Sequence, residues 1–155
     1  MGMDVYGKNP ASEVGEYFRN NCWWWRPLWR YCEEVAPEIC CKVQYAQSND
    51  GDGLGARDSK KLANILQAEV DAGRTRVYSE LRDAELAAVP DDECWCCGGT
   101  GKRKEPPATG PGDKHCNCCD GKGSIRPPET EYPFDVDNVK GFIKFLRDCG
   151  GFEIC

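Results

Sequence analysis

Residues 91–128 constrain the fold of this chain more than any other stretch, because they hold six of its twelve cysteines and almost no large apolar residue. Such a composition cannot bury enough apolar surface to make a conventional core, so something other than hydrophobic packing must hold the segment together. Aligned with itself, it gives two copies of one pattern. "CWCCGGTG", from Cys94 to Gly101, and "CNCCDGKG", from Cys116 to Gly123, share C-x-x-C-x-G-x-G at an offset of 22 residues. Each copy also carries an extra cysteine at its third position, Cys96 and Cys118.

A tetrahedral zinc ion needs four soft ligands, and two C-x-x-C turns brought together by a hairpin supply them. The ligand set this spacing nominates is Cys94, Cys97, Cys116 and Cys119. Gly99, Gly101, Gly121 and Gly123 fit the same scheme, since the chain must turn back tightly after each pair and backbone amides can then approach the sulfurs. Disulfides or a redox dithiol are the alternative uses of these thiols. Cys96 and Cys118 stay open among three roles: spectator thiols, substitute ligands after a one-residue slip, or redox partners. The lone histidine, His115, immediately precedes a complete C-x-x-C and reads as a surface loop residue.

The doubled motif resembles the cysteine-rich zinc region of the DnaJ chaperone family over Cys94 to Gly123, as half of that family's four-repeat pattern. The resemblance implies one zinc ion held by an extended β-hairpin-like module, and it suggests partner or polypeptide binding. It does not extend to a co-chaperone, whose J-domain requires His-Pro-Asp, because His115 is followed here by Cys116. The stretch "KRKEPPATGPGDK" between the repeats reads as an exposed hairpin tip.

Outside this segment the periodicity is helical. Leu28, Tyr31, Cys32 and Val35 follow Pro27 at helical spacing, with Pro27 placed in a first turn, and Pro37 starts another helical stretch bearing Ile39, Cys40, Val43 and Tyr45. Leu62, Ile65, Leu66 and Val70 predict an amphipathic helix from Ser59 to a stop at Gly73, and Leu81, Leu86 and Val89 mark a second that ends at Pro90. Val139, Phe142, Ile143 and Leu146 predict a helix over 137–149 with Gly150 as its cap. "SEVGEYFRNN" reads as a short helix capped by Ser12, whereas "GMDVYG" and "FEIC" read as brief strands. The fold class is therefore mainly α, or α+β with a small sheet from both termini: a helical domain of residues 1–90 and 129–155, interrupted by a zinc-binding insert at 91–128. The final helix cannot bury its apolar stripe alone, so it must pack on the N-terminal helices and the tryptophan-rich segment.

The formal charge of −6 argues against a general nucleic-acid binder. Residues 94–126 alone carry six Lys and Arg against three Asp and Glu, a local surplus that keeps a nucleic-acid-binding zinc module as an alternative. No basic start followed by an apolar run opens the chain and no apolar stretch has membrane-spanning length, which predicts a cytoplasmic protein with no membrane partner. In a reducing compartment clustered thiols more often hold metal than form lasting disulfides. "WWWRPLW" places four tryptophans in seven residues, to be divided between core packing and a binding surface. The loop "SNDGDG" lacks the acidic first position and terminal Glu of a calcium-binding EF-hand. No nucleophile, base and orienting group stand together, so the sequence favours a non-enzymatic zinc protein that contacts another protein. Thiol redox or disulfide exchange is the alternative of a different class.

Overall fold

The computed structural model describes residues 2–155. They form two compact units, residues 2–83 with 132–155, and residues 84–131.

In the first unit, β1 (Gly2–Gly7) is the central strand of a three-stranded antiparallel sheet, flanked by β2 (Tyr17–Asn21) and the C-terminal β7 (Phe152–Ile154). Val5 sits opposite both Phe18 and Ile154. Alternation along β1 buries Met3 and Val5 and turns Asp4 and Tyr6 away, the two-residue period that lets one face of a sheet cover a core. The protein is thus α+β, with its sheet built from both termini, and a mainly-α description does not fit. Two local expectations change with it. The segment beginning at Ser12 is a single 3₁₀ turn, Glu13–Gly15, followed by β2. Ser12 does not cap that turn; its hydroxyl donates to Asp148 at 2.5 Å.

Helix α1 (Cys22–Val35) begins earlier than Pro27 suggests, because the Asn21 side chain accepts the Trp24 N–H at 3.1 Å and caps the first turn. Pro27 consequently lies inside the helix. Pro37 does open α2 (Pro37–Cys40), but that helix is a single turn, and Tyr45 lies beyond it as an exposed ring. Helix α3 (Ala56–Asp71) buries Leu62, Ala63 and Leu66, and starts three residues before Ser59. Helix α4 (Arg74–Ala88) departs most from its sequence pattern. Its buried residue is Thr75, whose hydroxyl meets the Tyr31 hydroxyl at 2.9 Å, while Val77 and Leu81 are exposed.

Helix α5 (Val136–Asp148) buries Val139, Phe142, Ile143, Phe145 and Leu146. It packs on α3 and reaches the tryptophan segment, with the Phe142 ring edge-on to Trp25 at 5.5 Å. Its C-cap is Cys149, and the left-handed residue at φ 64° is the next one, Gly150. Trp25 and Trp29 stack at 5.5 Å in the core. Their indole N–H groups are satisfied by the Ala46 carbonyl at 2.6 Å and by Glu33 at 3.1 Å, as burial of a polar ring edge requires. Trp23 is exposed and Trp24 half-buried, so the tryptophan cluster divides between core and surface.

Candidate metal centre

The second unit is a pair of short β-ladders joined by two turns, and its parts repeat at the same offset as its sequence. Strand β3 (Asp92–Glu93) pairs with β6 (Ser124–Ile125), and β4 (Lys102–Arg103) pairs with β5 (Lys114–His115). Adding 22 to the residue numbers carries β3 onto β5 and β4 onto β6, so the two strands of each repeat pair crosswise with those of the other. The hydrogen bonds obey the same rule: Cys94 N–H donates to the Gly123 carbonyl at 2.9 Å, and Cys116 N–H donates to the Gly101 carbonyl at 3.0 Å. The unit therefore has an approximate two-fold arrangement, with each C-x-x-C-x-G-x-G turn tied to its copy.

Glycine is required where the copies cross. Gly101 has φ 73° and Gly123 φ 83°. An added Cβ at Gly101 would strike the Gly121 carbonyl oxygen, and one at Gly123 would strike the Gly99 carbonyl oxygen, each well inside the 3.0 Å that real Cβ contacts respect. This backbone-on-backbone approach brings the two cysteine pairs face to face.

At the crossing lie Cys94, Cys97, Cys116 and Cys119, all buried, with their four sulfurs within 4.8 Å of one another. Cys94 Sγ is 3.8 Å from Cys116 Sγ, and Cys97 Sγ is 3.8 Å from Cys119 Sγ, too far apart for disulfides. All four are free. The Gly123 N–H donates to Cys119 Sγ at 3.2 Å, the amide-to-sulfur contact that the tight turn makes available. Burial pushes the Cys94 thiol up to about 11. Burial acts the same way on Cys119, but the Gly123 N–H and the neighbouring thiols outweigh it and bring that group down to about 7. Four thiols this close cannot all ionise without a cation between them, so the group is one that could hold a metal ion.

Cys96 and Cys118, whose role the sequence leaves open among spectator thiols, substitute ligands and redox partners, are joined in a disulfide with a Cα–Cα distance of 6.4 Å. The signal for it was present, since the pair is separated by the same 22 residues as the other two cysteine pairs. His115 is outside the four-sulfur group, exposed, with Nε2 3.3 Å from Asp120. The unit closes at its base through Arg126, whose guanidinium donates to the carbonyls of Val89 at 2.6 Å and Leu86 at 2.7 Å and pairs with Asp91 at 3.1 Å. A cation at those terminal carbonyls of α4 complements the helix dipole. It also accounts for a unit that begins at Ala84, within the helix, beside an expected insert of 91–128.

The remaining cysteines are free. Cys32, Cys40 and Cys149 are core residues whose burial raises their thiols, Cys40 to about 12, whereas Cys41 and Cys155 are exposed. Among the described residues no helix is long and apolar enough to cross a membrane. No protein-family model matches the chain, and neither a curated protein nor a solved structure matches it.

Proposed function

We propose that this is a non-enzymatic protein in which Cys94, Cys97, Cys116 and Cys119 hold one structural zinc ion, and that the unit so stabilised contacts another protein. The observation that carries the reading is the spacing of the four sulfurs. Ligands of a tetrahedral ion with Zn–S bonds of about 2.3 Å stand about 3.8 Å apart, and the two cross-repeat pairs lie at 3.8 Å. Four thiolates and no histidine or carboxylate suit a soft or borderline ion over magnesium or calcium. With all four positions filled by sulfur, the ion has no place for water or substrate, so its contribution is to the fold. The likeness to the DnaJ cysteine-rich region points the same way.

Contact with a partner is supported by what the unit presents to solvent. Trp95, inside the first C-x-x-C, is 67% exposed, an unusual position for a ring whose burial is strongly favourable. The tip between β4 and β5 is largely exposed and bears Lys104, Glu105 and Asp113. The test is affinity capture from the source lysate with the intact zinc-loaded chain, Trp95→Ala, and a chain whose residues 104–110 are replaced by Gly and Ser. Captured proteins that depend on Trp95 or on the tip are expected. An identical set from all three would overturn the role of this surface.

A further inference from the structure

The Cys96–Cys118 disulfide is not part of the metal set, yet it bridges the same two turns. Its sulfurs are not equivalent. Cys96 is 1% exposed, whereas Cys118 is open to solvent. The tip breaks the two-fold here, since it folds back on the first repeat only: the Gly110 N–H donates to the Cys96 carbonyl at 3.0 Å, and Pro111 lies against Gly98. On the open side, Arg103 Nη1 donates to Asn117 Oδ1 at 3.0 Å and approaches Cys118 Sγ at 3.6 Å. A guanidinium beside the accessible sulfur attracts an incoming thiolate.

We infer that Cys96–Cys118 is a reversible thiol–disulfide exchange site, entered at Cys118 by an external dithiol, and that its oxidised form clasps the two turns around the metal. The inference rests on the metal-holding reading above. In the forward direction one thiolate of the dithiol attacks Cys118 Sγ, the S–S bond breaks, and Cys96 leaves with the electron pair and takes up a proton. The second thiol of the reductant then attacks its own sulfur in the mixed disulfide and expels Cys118. The balance is one protein disulfide and one dithiol giving two protein thiols and the oxidised reductant, with two electrons transferred. The four metal-set cysteines are 0–6% exposed and shielded from the same attack.

The consequence for the metal follows from loop closure. With the disulfide made, the 22-residue separation between the turns is closed before the ion binds. With it broken, the ion must close that loop itself, which by chain entropy is worth up to about 300-fold in affinity. Pairing of β4 with β5 already closes part of the loop, so the smallest gain consistent with the clasp is about fivefold.

The test uses the full chain loaded with zinc in air. Alkylation and peptide mapping should find Cys96 and Cys118 protected before addition of dithiothreitol and labelled after it. Zinc transfer to a chromophoric chelator should be at least about fivefold faster from the reduced chain than from the oxidised one. The Cys96→Ser/Cys118→Ser chain should match the reduced rate under both conditions. Labelling of Cys96 and Cys118 before reduction, or a rate ratio below about fivefold, would overturn the inference. A chain that carries no zinc but still labels these two cysteines only after reduction would refute the metal-holding reading and its coupling, while the exchange chemistry stood.

Discussion

Replacing Gly101 by Ala should damage the metal centre far more than replacing Gly121 by Ala, although the two positions share a left-handed backbone of φ 73° and 74°. The conformational penalty of about 1–2 kcal/mol for a side chain in that region is common to both. They differ in what the new methyl meets. At Gly121 the nearest atoms belong to the ring of His115, an exposed side chain that can swing aside. At Gly101 the obstacle is the Gly121 carbonyl, and moving it disturbs the crossing that places all four sulfurs. The Cys116 N–H bond to Gly101 would weaken as well, worth about 1 kcal/mol. The total for Gly101→Ala is about 3 kcal/mol or more, against about 1 for Gly121→Ala. Because folding of such a unit and metal binding are one equilibrium, zinc affinity should fall about 150-fold in the first and about fivefold in the second. Competition against a chelator of known affinity reads both, and Gly123→Ala, the two-fold counterpart, should resemble Gly101→Ala. Equal losses at 101 and 121 would refute the claim that the backbone crossing builds the site.

Chelation should unfold residues 92–125 and leave most of the helical circular dichroism intact, since α1, α3 and α5 bury their own apolar stripes; complete loss of helix would contradict this. Phe142→Ala should cost about 3–5 kcal/mol by thermal or denaturant unfolding, because the ring is fully buried against Trp25, Phe145 and Phe152, and a change below about 1 kcal/mol would show a looser core than the one described. The Tyr45 N–H at 2.9 Å, joined by the Gly53 N–H at 2.7 Å, holds the Asp52 carboxylate below its usual 3.8. Stability from that group is therefore complete above pH 3.8 and is lost as the pH falls from there through its lower folded value, so Asp52→Asn should flatten acid unfolding in that window.

The four-cysteine group was legible because its C-x-x-C spacing lies within single turns, which the chain carries locally. Helices α3 and α5 were legible for a similar reason: their apolar stripes are long enough to fix a period. Strand β2 was not, because its two inward positions are Phe18 and the polar Asn20, so its burial alternates while its hydropathy does not, and only pairing with β1 defines it. The start of α1 was encoded in Asn21, but Pro27 carried the more familiar first-turn signal and masked it. Helix α4 shows the opposite failure, since Leu81 follows a helical period and yet stays exposed. The division of the tryptophans depended on which ring met α5, a tertiary fact. The pairing of Cys96 with Cys118 could have been drawn from the repeat offset, but the expected reducing compartment weighed against any disulfide.

Native mass spectrometry of the full chain, followed by alkylation of the same sample under non-reducing conditions, tests the central claim most directly. The account predicts one zinc ion per chain, with Cys94, Cys97, Cys116 and Cys119 protected until the metal is removed and then labelled without any reductant. A chain that carries no metal, or in which these four cysteines stay unlabelled until a reductant is added, would contradict it.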